Sequence, residues 1–248
     1  MSDVAIITGG SRGIGAAAAI TAAKRGFAVC VNYLNSAEAA QSVVQQINDG
    51  GGRAIALKAD TGTEADIVSL FDTVDRELGT VSALVNNAGI AQPIMKLETM
   101  DAARLERTWA INITGYFLCA REAVKRMSTA HGGRGGTIVN VSSAASRLGG
   151  PGEWIDYAAS KGAIDTMTLG LSKELGSEGI RVNAVRPGLI DTEIHASAGA
   201  PERVAKLSSG VPMQRSGSAA EVAESIVWLM SPESSYVTGA LLDVAGGR

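Results

Sequence analysis

Short apolar runs alternate along the chain with longer segments whose apolar residues recur at helical spacing. The runs at 4–8, 27–31, 54–57, 83–86, 137–141, 180–185 and 240–244 are short, near-continuously apolar and rich in aliphatic residues. Such runs read as buried strands. Between them the spacing predicts helices over about 14–24, 37–47, 65–78, 102–127, 157–175 and 219–230. Near-continuous apolar strands separated by helices predict a parallel sheet covered on both faces. The expected class is α/β, a doubly wound sheet of about seven strands in a single domain over residues 1–248. No linker, repeat or low-complexity segment marks a second domain. A TIM barrel has a similar length and alternation, but it makes no special demand on the first strand–helix turn.

This chain loads that turn with glycine: Thr8-Gly9-Gly10-Ser11-Arg12-Gly13-Ile14-Gly15. Glycine permits a tight turn and close backbone approach to a ligand. The helix that follows offers free N–H groups and a positive dipole end to a pyrophosphate. The spacing is GxxxGxG, so it is neither the GxGxxG fingerprint nor a P-loop. NAD-preferring sites place an acid at the end of the second strand to hold the ribose 2′-hydroxyl. Here Val31-Asn32-Tyr33-Leu34-Asn35-Ser36 carries none, while Arg12 offers a cation to a 2′-phosphate. Both features favour NADP(H) over NAD(H).

Composition narrows the function further. Of 248 residues, 46% are hydrophobic and 19% charged, which is globular rather than disordered. The net charge of -3 and the lack of a long basic run argue against nucleic acid or anionic membrane as partner. Cys30 and Cys119 sit in apolar runs and read as core thiols. His131 and His195 are isolated, so no metal site is expected. The opening Met1-Ser2-Asp3-Val4 leads directly into a strand-like run, with no signal-peptide pattern and no membrane-spanning stretch. A cytoplasmic location is the expectation.

Tyr157 and Lys161 stand four residues apart on a predicted helix and so share a face. A lysine beside a phenol favours the phenolate. Lowering a tyrosine from ~10 by roughly three units amounts to about 4 kcal/mol and yields an acid/base usable near neutral pH. A lone YxxxK pair also describes many ordinary helix surfaces. It gains meaning from Ser143 ahead of it, Asn112 on the preceding helix and the glycine turn.

These motifs, in this order, resemble the short-chain dehydrogenase/reductase family over essentially the whole chain. The matching pieces are the turn from Thr8 to Gly15, Asn86-Asn87-Ala88-Gly89, Asn112, Ser143, and the Tyr157/Lys161 pair. Arg186-Pro187-Gly188 with Ile190-Asp191-Thr192, and the C-terminal run from Val237 to Gly247, complete the set. The resemblance is nearest in flavour to 3-oxoacyl-carrier-protein reductases and glucose-dehydrogenase-like members. It implies a Rossmann fold and an oxidoreductase acting on a carbonyl or secondary alcohol. Tyr157 would be the acid/base, and Lys161 would bind the nicotinamide ribose and depress the Tyr157 pKa. Ser143 would hydrogen-bond the substrate oxygen, and Asn112 would hold a water linking Lys161 to solvent. Cofactor contacts would come from Gly9, Ser11, Arg12, Gly13, Ile14 and Gly15, then Asn32 and Tyr33. Asp60 and Thr61 would meet the adenine end, Asn87, Ala88 and Gly89 the middle. Pro187, Gly188, Ile190 and Thr192, with Tyr157 and Lys161, would hold the nicotinamide end. The family commonly forms homotetramers through the helices that carry Asn112 and Tyr157.

Ser142 and Ser143 are adjacent, and only one can face substrate; the family pattern favours Ser143. Substrate specificity is expected around Ile94, Ala144, Ala145, Ser146, Trp154 and residues 189–210, a polar segment placed to act as a mobile lid. Trp154 reads equally as pocket wall and as helix-start packing. Two rival readings remain: an NAD-dependent sugar dehydrogenase, and a non-catalytic nucleotide-binding regulatory protein.

Overall fold

The computed structural model describes residues 3–248, apart from the side chain of His195. Met1, Ser2 and that side chain, all read above, lie outside the described residues.

The first half of the chain runs β1 (Val4–Ile7), α1 (Gly13–Lys24), β2 (Ala28–Tyr33), α2 (Ala37–Asp49), β3 (Arg53–Lys58), α3 (Glu64–Glu77) and β4 (Ala83–Asn86). It continues through α4 (Ala102–Trp109), α5 (Gly115–Met127), β5 (Gly136–Val141), α6 (Ala145–Leu148), α7 (Ile155–Glu174) and β6 (Ile180–Pro187). The last part holds β7 (Ile190–Asp191), α8 (Ile194–Ser197), α9 (Arg203–Leu207), β8 (Gly217–Ser218), α10 (Ala219–Met230) and β9 (Leu241–Val244). Seven strands form one sheet in the order β3-β2-β1-β4-β5-β6-β9, and each pair is parallel.

The strands are apolar on both faces because helices cover both. Ala5 and Ile7 of β1 pack with Ala18, Ala19 and Ala22 of α1 and with Val222, Ile226 and Val227 of α10. Val4 and Ile6 face the other way, toward Phe71 of α3, Ala123 of α5 and Ile164 of α7. The alanines of α1 keep that helix close to the sheet. Strand order reverses between β1 and β4, so a crevice opens at their C-terminal ends. The glycine turn and the Asn87-Ala88-Gly89 run leave the sheet at that crevice.

Beyond shifts of a few residues at element ends, two features depart from the sequence expectation. The helix predicted over 102–127 is interrupted by a π turn at Ala110–Thr114, with Asn112 in its middle. Such turns recur at functional sites. Residues 190–218 contain a short parallel ladder, β7 on β8, that no sequence pattern announced. The start of α10 follows from its local sequence. Ser218 Oγ accepts from Glu221 N at 3.2 Å and Ser218 N donates to Glu221 Oε2 at 2.8 Å, a capping box. Cys30 and Cys119 are free and buried, and burial pushes both thiols up, Cys119 to about 12.

Candidate active site

One cleft of about 480 Å³ runs along the C-terminal edge of the sheet, from the glycine turn to Tyr157. Its wall includes Gly9, Ser11, Arg12, Gly13, Ile14, Gly15, Asn32, Tyr33, Asp60 and Thr61. It also includes Asn87, Ala88, Gly89, Ser143, Tyr157, Lys161, Pro187, Gly188, Ile190 and Thr192. Among the expected catalytic and cofactor residues, Asn112 lies behind the wall, fully buried.

The turn at the near end is built by close approach. Gly9 and Gly13 hold φ of 62° and 54°, a region side chains rarely adopt. A Cβ on Gly15 would stand 2.3 Å from Gly9 O and 2.5 Å from Asn87 Nδ2. The hydroxyl of Thr8 accepts from Asn87 N at 2.9 Å and Ala88 N at 3.0 Å, tying the two loops together. Asn87 Nδ2 returns the contact to Thr8 O and Gly9 O. The first turn of α1 has no side-chain cap and no acidic residue. Its backbone is therefore suited to an anion. Thr192 faces the turn across the cleft, its Cγ2 3.4 Å from where a Gly13 Cβ would lie. These features fit the pyrophosphate of a dinucleotide. Replacing Gly15 by Ala is expected to displace the turn, weaken dinucleotide binding at least ~100-fold and cost roughly 2 kcal/mol of stability. Fluorescence titration and thermal unfolding check this.

Asn32 borders the cleft with its side chain bonded into the glycine turn. Its Oδ1 accepts from Gly9 N at 3.2 Å and its Nδ2 donates to Ala59 O at 3.1 Å, so its side chain braces the turn. From Asn32 the wall continues to Tyr33, Leu34, Asn35 and Ser36, all neutral. Arg12 is exposed at the same wall. Asp60 accepts from Gly62 N at 2.8 Å and pairs with Arg107 at 3.0 Å.

At the far end the Ser142/Ser143 register is resolved. Ser142 is buried and donates to Lys161 O at 3.2 Å, while Ser143 interacts with the Tyr157 phenol. Asn112 Oδ1 accepts from Ile90 N at 2.9 Å, and its Nδ2 donates to Ile90 O at 2.9 Å and to Ser160 Oγ at 3.2 Å, which leaves one acceptor site on Oδ1. Asn112 holds loop 90–96 against α7 and makes no direct bond to Lys161. That lysine donates from Nζ to Val141 O at 2.8 Å and to Tyr116 Oη at 3.1 Å. A Gly89 Cβ would lie 3.6 Å from the same nitrogen, so the missing side chain opens Lys161 to the cleft.

Burial acts on both ionisable groups of the pair. Burial raises the Tyr157 pKa, and the Ser143 contact only partly offsets it. Lys161 Nζ lies 5.6 Å from the Tyr157 ring centroid. Burial pulls Lys161 itself down to about 7, with Asp165 opposing. A lysine half neutral at that pH lacks the full charge that the spacing argument assumed.

Around the far end, Ala144, Ala145 and Trp154 line the cleft as expected, whereas Ile94 and Ser146 do not. Trp154 serves in both of its expected roles: it borders the cleft and packs at the start of α7, donating from Nε1 to Gln92 O at 2.6 Å. The expected lid folds into α8 and α9 and is fastened to the cleft. Arg203 pairs with Glu153 at 2.6 Å and stacks 4.6 Å from the Trp154 ring centroid. The sequence reading missed Arg203, Arg104 and Tyr116. Tyr116 is four residues past Asn112, a spacing that could have found it.

A family model described as "Enoyl-(Acyl carrier protein) reductase" matches residues 9–248. The chain belongs to the short-chain dehydrogenase/reductase family. It is 55% identical over 245 residues, 99% of each chain, to "Uncharacterized oxidoreductase YgfF" of Escherichia coli (strain K12). It is 37% identical over 247 residues to a 3-oxoacyl-[acyl-carrier-protein] reductase of Synechocystis sp., covering 99% of this chain and 96% of the relative. Its fold superposes with a TM-score of 0.90 on a short chain dehydrogenase from Burkholderia cenocepacia J2315 in complex with NADP. That pair is 33% identical and covers 99% of this chain and 97% of the other. This short-chain dehydrogenase/reductase is an oxidoreductase acting on CH–OH groups, with a nicotinamide cofactor and a small-molecule substrate. Among the described residues no helix is long and apolar enough to cross a membrane.

Proposed function

We propose that this enzyme is an NADP(H)-dependent carbonyl reductase, working reversibly on the secondary alcohol, with Tyr157 as proton donor. The supporting observation is the Ser143–Tyr157 pair on the cleft wall with the phenol held protonated by burial. A neutral phenol is the form that gives a proton to a carbonyl oxygen as that oxygen gains charge. The bound dinucleotide supplies the hydride to the carbonyl carbon. Ser143 hydrogen-bonds the same oxygen, and Lys161 grips the ribose from beside Gly89. One domain carries both sites. The far wall joins Ala144, Leu148, Trp154 and Leu189 with the paired Glu153 and Arg203.

NADP(H) is preferred on this reading because Arg12 is exposed at a wall whose β2 end has no acid. Arg12→Glu is expected to raise the Kd for NADPH about 30-fold, the loss of one charge-assisted contact, and to leave NADH binding within threefold. Equal titrations of wild type with both cofactors, or tighter NADH, would reverse the preference. Trp109, Phe117 and Leu169 are exposed on α4, α5 and α7 and support assembly into a homotetramer through those helices, to be read by light scattering.

A further inference from the structure

Lys161 has three N–H bonds, and two are committed within the protein. One goes to Val141 O at 2.8 Å and one to Tyr116 Oη at 3.1 Å. Tyr116 cannot turn away, because its own hydroxyl donates to Val141 O at 3.1 Å. Its ring is only 2% exposed and packs in the core beside Cys119 and Ala120. The phenol is thus an oriented acceptor, fixed by the core on one side and by a backbone carbonyl on the other. Lys161 Nζ also lies 4.9 Å from the Tyr116 ring centroid. The cleft side of the nitrogen is left clear by Gly89. Asn112 Oδ1 borders the same Gly89 opening, and the side chain bonds Ile90 and Ser160 rather than Lys161.

We propose that Tyr116 is a positioning residue for Lys161: with the Val141 carbonyl it fixes two of the three N–H bonds and turns the third toward the cleft beside Gly89. This rests on the role given to Lys161 above. Accepting from the ammonium favours its charged form. Burial acts against that form, so the tyrosine helps to keep Lys161 charged near neutral pH. The other groups facing this nitrogen are Tyr157 on α7 and Asp165 one turn along α7, while Cys119 on α5 faces Tyr116. Asp165 is itself paired with Arg186 of β6 at 2.9 Å.

The test removes the hydroxyl while keeping the core filled. Tyr116→Phe retains the ring, and Tyr116→Met provides a second filling of the same space. NMR of 13Cε-labelled lysines follows the titration of Lys161 in the free protein, its signal assigned by its loss in Lys161→Met. The wild-type midpoint is expected near 7. Either variant is expected to lower it by about one pH unit, the scale of one lost hydrogen bond to a charged group. The charge is lost as pH rises through the lysine pKa, so the alkaline limb of reductive kcat/KM moves down by the same amount. Activity then falls about tenfold near pH 8 and less than about twofold near pH 5. An unchanged midpoint in the variants, with an activity loss uniform across pH, overturns the proposal and makes Tyr116 a packing residue only. The free-protein titration decides the point even if no carbonyl compound is turned over, so failure of the reductase reading stays distinguishable.

Discussion

Replacing Tyr157 by Phe lowers the rate of carbonyl reduction about 1,000-fold or more and leaves the Kd for NADPH within threefold. The size follows from losing a positioned general acid, which contributes roughly 10²–10⁴. The selectivity follows from geometry. The glycine turn and Arg12 lie at the opposite end of the cleft from the phenol, and Lys161 is held by Val141 and Tyr116 rather than by Tyr157. The ring of Tyr157 remains to pack, so stability changes little. Lys161→Met differs, because the lysine faces both the phenol and the Gly89 opening. It should weaken cofactor binding as well as turnover.

Arg104→Ala lowers stability by about 3–5 kcal/mol and Tm by roughly 10 °C. Arg104 and Asp156 form an ion pair at 2.8 Å with side chains only 6% and 2% exposed. Removing the arginine leaves a buried carboxylate without its counter-charge, and that uncompensated charge sets the cost. The damage also reaches the cleft. Arg104 Nη1 donates to Pro93 O at 2.8 Å, Gln92 Nε2 donates to Arg104 O at 3.1 Å, and Gln92 O receives the Trp154 indole. One guanidinium thus joins α4, loop 90–96 and the residue preceding Tyr157. The double variant Arg104→Met with Asp156→Leu should recover most of the stability, because it removes both charges and keeps the volume. Paired thermal unfolding curves check both statements. A double variant no more stable than Arg104→Ala would show that the loss is one of packing, not of charge.

The fold was readable because period and burial agree along nearly the whole chain. Strands apolar at every position, such as Val4–Ile7 and Ala28–Cys30, require cover on both faces, and helices supply it. The glycine turn was readable because only glycine tolerates the contacts at Gly9 and Gly15. What the sequence concealed depends on direction and desolvation. Asn32 sits at the expected strand end, yet its amide points into the turn and braces it. The helical spacing of Tyr157 and Lys161 is correct, but spacing carries no information on burial, and burial is the largest influence on both pKa values. The π turn at Asn112 was hidden for a similar reason. One extra residue in a turn leaves an apolar pattern almost unchanged, and the bonds from Asn112 to Ile90 and Ser160 are long-range.

The most direct measurement offers the NADPH-loaded enzyme a panel of ketones, with deuterium on the transferring position of the cofactor. Mass spectrometry of the product alcohols follows the label. The expected result is deuterium on the carbinol carbon with wild-type enzyme, and none above background with Tyr157→Phe although that variant still binds NADPH. Label transfer of equal rate in both proteins, or tight NADPH binding with no transfer to any carbonyl, would contradict the assignment of Tyr157 as the proton donor of a reductase.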